Sequence, residues 1–164
     1  LPYPGGKEIE ERAKNGNEKF FKLPLPLIKE DNFNFSFSGL KTAVNLTLKK
    51  NVINEKIIND MCASFQKCIA EILCFKLKKT INTLIEDNIN ITSVSLVGGV
   101  ANNKYIQSKL CNICNDQNIE LILPIKEMIS DNAAMIAWAC ILKNKKRKNK
   151  LFFNPNPRLT INNM

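Results

Sequence analysis

Along the last part of the chain, apolar residues recur at the spacings typical of alternating strands and helices. Short apolar runs predict strands over Ser93–Val97 and Ile119–Leu123, and apolar residues at spacings of three and four predict helices over Asn103–Cys114 and Asp131–Leu142. Strands and helices in this order are typical of an α/β layer with a largely parallel sheet. We therefore expect an α/β fold.

The first half of the chain has a mainly helical pattern. Good helix formers predict a short helix over Lys7–Lys14, and apolar stripes predict helices over about Leu40–Lys50 and Glu55–Glu86. Because the last of these helices is long for a globular protein, we expect a bend or break near Asn59.

Two aromatic segments between these helices predict extended backbone. Phe20–Ile28 contains Pro24 and Pro26, which favour an edge or loop segment because proline has no amide proton to donate. Asn32–Ser38 alternates polar and aromatic residues with a period of two, which is the pattern of a half-buried strand, and this strand would end at Gly39.

A glycine pair is the strongest sign of a binding site. Gly98 and Gly99 stand between a predicted strand and a helix that begins at Asn103, so bare backbone can approach a ligand and the first helical amides can face it. This arrangement indicates a nucleotide site, although similar turns also serve packing alone. Asn103 could bind a sugar hydroxyl or cap its helix. Asp131, at the same predicted sheet edge, could hold a metal ion or water, or cap the next helix.

The charge of the chain favours a polyanionic partner. The formal net charge is +9, mostly from lysine. We discount this signal by about half, since lysine accompanies an abundance of asparagine and isoleucine that looks like a general compositional bias. Nucleic acid is favoured over a membrane, because no apolar run reaches the roughly 18 residues of a spanning helix.

The cysteine and histidine content narrows the possible chemistry. The cysteines lack the spacing of a four-ligand zinc site, so we expect small buried hydrophobic residues in a reducing compartment, and hence a cytoplasmic protein. The chain has no histidine, so any imidazole must come from elsewhere. It begins at Leu1 with a Pro-Tyr-Pro-Gly-Gly turn that is typical of the middle of a longer sequence, and we expect a fragment with an incomplete site. The cysteines are Cys62, Cys68, Cys74, Cys111, Cys114 and Cys140.

Five blocks of residues, in order and over nearly the whole chain, resemble one known family. They are Pro4-Gly5-Gly6, Phe35–Val44, Ala63–Gln66, Gly98–Asn103 and Ser130–Ala137. The family is TsaD/Gcp, the tRNA adenosine threonylcarbamoyltransferases, and the blocks correspond to its C-terminal half. The second block, Phe-Ser-Phe-Ser-Gly-Leu-Lys-Thr-Ala-Val, is highly specific.

The resemblance implies an actin/Hsp70/sugar-kinase-like (ASKHA) fold, in which two lobes hold a nucleotide between them and this chain is the second lobe. Residues 20–90 would form a helical insertion, residues 91–142 an α/β nucleotide-binding core and residues 143–164 a basic tail. The implied activity transfers threonylcarbamoyl from threonylcarbamoyl-AMP to N6 of adenosine 37 in tRNAs that read codons beginning with A. The implied partners are tRNA, the first lobe and the accessory subunits TsaB and TsaE, with no membrane.

The resemblance also assigns roles to individual residues. Gly6 and Asn103 match positions that bind the adenylate, and Glu10 falls near another such position. Asp131 matches a ligand of a divalent metal, Fe²⁺ or Zn²⁺, whose other two ligands are histidines of the first lobe. Asn102 stands where the family has a small residue, which leaves open whether Asn102 or Asn103 contacts the substrate. With half a site, the chain alone would be inactive.

Two other functions remain open on the sequence. A scaffold subunit that has lost its metal site would share the fold, but the chain keeps Asp131. A phosphotransferase of the sugar-kinase type would share the glycine turn, but it would lack the Phe-Ser-Phe-Ser-Gly block. A protease function finds no support, because the chain has neither a metal-binding histidine pair nor a catalytic triad.

Overall fold

A computed structural model describes residues 1–129 and 132–144 as a mixed α/β chain. Its secondary structure is mainly helical, with one small sheet. The elements are α1 (Gly5–Ala13), α2 (Leu40–Lys49), α3 (Glu55–Glu86), β1 (Ser93–Ser95), a 3₁₀ turn (Gly99–Asn102), α4 (Lys104–Asn115), β2 (Glu120–Ile122), a second 3₁₀ turn (Lys126–Met128) and α5 (Ala133–Asn144).

The chain divides into two compact units, and the boundary along the sequence falls between residues 130 and 131. The first contains every element from α1 to the second 3₁₀ turn. The second contains α5, whose first turn is capped by Asn132: its Oδ1 accepts a hydrogen bond from the amide of Met135 at 2.9 Å. The predicted helix over Asp131–Leu142 is therefore present, although Asp131 itself lies outside the described residues.

The two strands confirm the predicted parallel order. β1 pairs with β2 in parallel, with Val94 opposite Leu121. The strands are shorter than predicted, although the amide of Leu96 still donates to the carbonyl of Ile122 at 3.1 Å. Helix α4 connects the two strands, as expected for parallel neighbours, which need a crossover. The carboxyl end of β1 consequently leads straight into the glycine turn.

Helix α3 is the central element of the first unit. It runs unbroken through 32 residues, so the predicted break near Asn59 does not occur. Residues between Asp60 and Ile81 are buried at many points along it, and this tertiary packing stabilises a helix of unusual length. Its start is capped by Asn54, whose Oδ1 accepts from the amide of Ile57 at 2.9 Å.

Apolar clusters hold the other elements on α3. Ala13 of α1 packs with Cys62 and Ala63. Ala70 packs with Ile106 and Leu110 of α4. One side of α3 thus supports α1, and a position two turns further along supports α4. Two further clusters complete the core. One consists of Leu23, Leu40, Met61, Cys68 and Ile72. The other consists of Ile81, Cys114 and Ile119.

The predicted strand over Asn32–Ser38 is wrong. Residues 33–37 have no regular secondary structure and no strand partner, and Phe33, Phe35 and Phe37 are 48%, 53% and 42% exposed. Alternation of side chains follows from extended backbone alone, whereas a strand also needs a neighbour for its hydrogen bonds. The segment is held by α3 instead, since the buried Lys76 donates from Nζ to the carbonyl of Asn32 at 2.7 Å. The segment over Phe20–Ile28 is a loop, as predicted.

The cysteines are all free thiols, and the prediction that they are buried holds for only some of them. Cys62, Cys68 and Cys114 are buried, whereas Cys140 is exposed. Burial raises the pKa of the Cys68 thiol to about 11, so the sulfur is protonated and unreactive at neutral pH. Among the described residues, no helix combines the length and apolar character needed to cross a bilayer.

Candidate functional site

A large cleft of about 1190 Å³ opens in the first unit, at the carboxyl end of β1. Helix α1 forms one side of it, α3 lies at its base, and the turn between β1 and α4 forms the opposite side. Ligands of open α/β sheets bind at this edge. The polar and glycine residues that line it include Gly6, Glu10, Gln66, Gly99, Asn102 and Asn103.

The glycines leave backbone exposed where a ligand would approach. A Cβ added at Gly6 or Gly99 would meet no atom within 4 Å, so the space beside both residues is open. Gly98 has a φ of +92°, a conformation that favours glycine, and its amide donates to the carbonyl of Ile129 at 2.8 Å. Gly98 therefore fixes the turn, and Gly99 faces the cleft.

Asn103 caps helix α4. Its Oδ1 accepts a hydrogen bond from the amide of Ile106 at 3.0 Å, and its Nδ2 donates to Oε1 of Gln66 at 2.7 Å. One of its two sequence interpretations, the helix cap, is thus confirmed. The neighbouring Asn102 lies exposed on the 3₁₀ turn and also lines the cleft.

Glu10 connects the two sides of the cleft. Its Oε1 accepts a hydrogen bond from the amide of Lys104 at 2.7 Å, so a carboxylate of α1 satisfies one of the free amides at the start of α4. The same turn is braced by Gln107, whose Nε2 donates to the carbonyl of Ala101 at 2.5 Å. These bonds fix the N-terminus of α4 relative to α1.

Cationic side chains give the rim a mixed charge. Lys7, Lys14 and Lys104 line the cleft together with Glu11. Lys14 pairs with Glu11 at 2.7 Å, and this hydrogen-bonded ammonium lowers the pKa of the Glu11 carboxyl. Lys104 donates from Nζ to Oε1 of Gln107, a neutral partner, at 3.0 Å. The charges of Lys7 and Lys104 are therefore suited to attract an anion.

A second cavity, of about 380 Å³, lies between α1, α2 and α3. Its lining is almost wholly apolar, with Leu40, Val44, Met61 and Phe65 among its residues. Lys41 and the thiol of Cys62 are the polar side chains of this lining, so it offers few groups that could orient a substrate. Chemistry is concentrated in the larger cleft instead.

The described part of the chain contains no metal centre. Across residues 1–129 and 132–144, no three side chains of His, Cys, Asp or Glu come together to hold an ion. The candidate ligand Asp131 lies outside these residues.

The structure brings four of the sequence-predicted site residues to one cleft: Gly6, Glu10, Gly99 and Asn103. Gly98 shapes the turn beside them. Sequence reasoning gave no role to Gln66, although it lies in one of the five blocks that resemble the family. That block was the available signal, but the partner of Gln66 is distant in sequence, so only the fold reveals the contact.

These features define an α/β protein whose parallel strands lead into a glycine-rich cleft. A family model described as TsaD, tRNA N6-adenosine threonylcarbamoyltransferase, matches residues 1–138. The chain belongs to this family.

Relatives bearing the name tRNA N6-adenosine threonylcarbamoyltransferase align with most of the chain. The protein of Rickettsia rickettsii (strain Sheila Smith) is 42% identical over 168 residues, which cover 98% of this chain and 48% of the relative. The protein of Thermosipho africanus (strain TCF52B) is 45% identical over 139 residues, covering 85% of this chain and 41% of the relative. This chain thus spans less than half the length of these relatives.

The bond between α1 and α4 predicts a specific stability effect. We expect Glu10→Ala to lower the free energy of unfolding by about 1 kcal/mol, because an amide at the start of α4 loses a charged partner. Glu10→Gln should lose less, since it keeps an acceptor oxygen. Urea denaturation measures both. The control is Glu11→Ala, which removes a carboxylate of the same helix that pairs with Lys14. An equal loss from Glu10→Ala and Glu11→Ala would contradict the bridging role.

Proposed function

We propose that this chain supplies one side of the substrate cleft of a tRNA N6-adenosine threonylcarbamoyltransferase. The reaction moves threonylcarbamoyl from threonylcarbamoyl-AMP to N6 of adenosine 37 in tRNAs that read codons beginning with A. In this proposal the chain is the second lobe of an ASKHA fold, and the adenylate lies against Gly6, Gly99 and the start of α4. Family membership and the name that the relatives bear support the reaction.

One observation carries the assignment to this cleft: two segments far apart in sequence present open glycine backbone to the same space. Gly6 at the start of α1 and Gly99 after β1 both line the cleft, and neither has an atom within 4 Å of its Cβ position. A nucleotide can approach such backbone closely, and the start of α1, which has no side-chain cap, can favour its phosphate. Lys7 and Lys104 add positive charge at the same place.

The reaction mainly requires that the adenylate be bound and oriented toward the attacking amine. The acyl group of a mixed anhydride is already activated, so the N6 amine attacks the carbamoyl carbon, AMP departs with the electron pair of the broken C–O bond, and the amine loses a proton. A cleft that fixes the adenylate brings the carbonyl to the amine and lowers the entropic part of the barrier. Backbone amides near the phosphate stabilise the charge that AMP takes away.

Adenylate binding tests this assignment. We expect the chain to bind AMP, and a non-hydrolysable analogue of threonylcarbamoyl-AMP more tightly, in isothermal titration calorimetry. Gly99→Val should weaken binding at least about tenfold, because the side chain fills the space that the ligand needs. The melting temperature should stay unchanged, since no atom lies near that position.

The matched control is Gly5→Val, at which the added side chain also meets open space but which does not line the cleft. It should bind AMP as the parent does. If the parent binds no adenylate, or if Gly99→Val binds it equally well, the assignment is wrong.

We propose that the exposed phenylalanine segment, residues 33–37, contacts the tRNA. The rings of Phe35 and Phe37 are stacked, with centroids 6.4 Å apart and planes 11° apart. Nζ of Lys79 lies 5.2 Å from the ring centre of Phe33, and Phe37 borders the cleft. Exposed rings beside a lysine form a surface on which unpaired bases stack. The net charge of +9 favours the same partner.

Variants of this segment test the RNA contact. Phe35→Ala should weaken binding of an anticodon stem-loop about tenfold in fluorescence anisotropy, since one stacked base contributes about 1–3 kcal/mol. Phe20→Ala is the control, because Phe20 is 47% exposed but lies outside residues 33–37 in the chain and packs edge-on against Phe21. Equal affinities of the two variants would exclude residues 33–37 as the contact surface.

We further propose that Asp131 supplies one ligand to a divalent ion, Fe²⁺ or Zn²⁺. We also propose that TsaB and TsaE are accessory partners and that the protein acts in the cytoplasm. The resemblance of Ser130–Ala137 to the family block supports the first of these. Elemental analysis of the natural protein and of its Asp131→Ala variant tests it. Equal metal contents would contradict the proposal.

A further inference from the structure

Gln66 is a buried polar residue at the base of the cleft. It belongs to α3, is 8% exposed, and lines the cleft beside Asn103. A buried amide needs hydrogen-bond partners for both its oxygen and its nitrogen. Its orientation therefore decides which of the two groups the cleft presents to a ligand.

The helix cap fixes that orientation. Oδ1 of Asn103 accepts from the amide of Ile106 at 3.0 Å, so this side-chain oxygen must face the start of α4. The nitrogen of the same side chain then faces Gln66, and Nδ2 donates to Oε1 at 2.7 Å. Since Oε1 of Gln66 is occupied as an acceptor, its Nε2 is the group left for a ligand.

Nε2 of Gln66 is accessible from the cleft. The Gln66 side chain makes one hydrogen bond to the described residues, and its Oε1 is the atom that accepts it. The only fully buried side-chain nitrogen or oxygen without a partner in this part of the chain is Oδ2 of Asp60. Nε2 therefore retains surface, and the cleft is the space that Gln66 lines.

We propose that Gln66 is a substrate-binding residue that donates a hydrogen bond from Nε2 to an oxygen acceptor of the acyl-adenylate, and that Asn103 is the positioning residue that holds Gln66 in this orientation. The proposal rests on the proposed function for the identity of the ligand. It gives Asn103 an indirect role: its side chain is committed to the cap and to Gln66. A fixed donor at the base of the cleft also selects for an acceptor and against a second donor at that point.

Asn103→Asp separates the two roles of Asn103. An aspartate caps a helix as well as asparagine does, so the melting temperature should change little. It has no Nδ2, however, and its carboxylate repels Oε1 of Gln66. The Gln66 amide should then turn its nitrogen toward residue 103 and its oxygen toward the cleft. We expect affinity for a non-hydrolysable threonylcarbamoyl-AMP analogue, measured by calorimetry, to fall about tenfold.

Asn102→Asp is the matched control, because it places the same charge one residue away on the exposed 3₁₀ turn. It should weaken binding less than Asn103→Asp does. Gln66→Met removes the donor while keeping the length of the side chain, and should also weaken binding about tenfold. The double variant Gln66→Met/Asn103→Asp should bind no more weakly than Gln66→Met alone, since both changes remove one interaction.

The outcomes separate this inference from the function on which it rests. If the parent does not bind the analogue, the proposed function fails. If the parent binds and Gln66→Met binds equally well, Gln66 is not a substrate contact. If Asn102→Asp weakens binding as much as Asn103→Asp, the loss comes from the added charge or from a direct contact of Asn102, and the positioning role of Asn103 is wrong.

Discussion

The unbroken packing of helix α3 is the constraint on which the cleft depends. Cys62 and Ala63 hold α1 against one part of this helix, and Ala70 holds α4 against another. The two glycine-bearing segments, at the starts of α1 and of the turn before α4, consequently face each other across a fixed distance. Burial along the whole helix, rather than helix propensity, keeps it continuous.

Three hydrogen bonds then fix the start of α4, which apolar packing alone does not position. Glu10 bonds the amide of Lys104, Asn103 bonds Gln66, and Tyr105 donates to Oε2 of Glu18 at 2.7 Å. Burial, together with the bond to the Glu18 carboxylate, raises the pKa of the Tyr105 hydroxyl, so it remains a donor at any physiological pH. All three bonds act on the first residues of α4. The N-terminus of that helix is thereby held in place before a ligand arrives, which reduces the ordering cost of binding.

The sequence predicted the helices and the parallel strand order because both leave periodic apolar patterns. It failed over Asn32–Ser38, because alternation reports extended backbone and not the presence of a neighbouring strand. For Asn103 it left a cap and a ligand contact as alternatives. The structure confirms the cap and adds a bond from Asn103 to Gln66, which is 37 positions away in the chain and comes close only when α3 and α4 pack. Local patterns carry no information on such a contact, although the glycine turn itself was found from the sequence.

Hydrogen–deuterium exchange with and without AMP tests the central claim, that α1 and the turn before α4 form one adenylate cleft. The account predicts slower amide exchange in two separate peptides, one over residues 4–11 and one over residues 98–107, when AMP is bound. Both peptides line the larger cleft, and α2 does not. Slower exchange confined to α2 beside the apolar cavity, or unchanged exchange at both glycine segments with AMP at saturation, would contradict it.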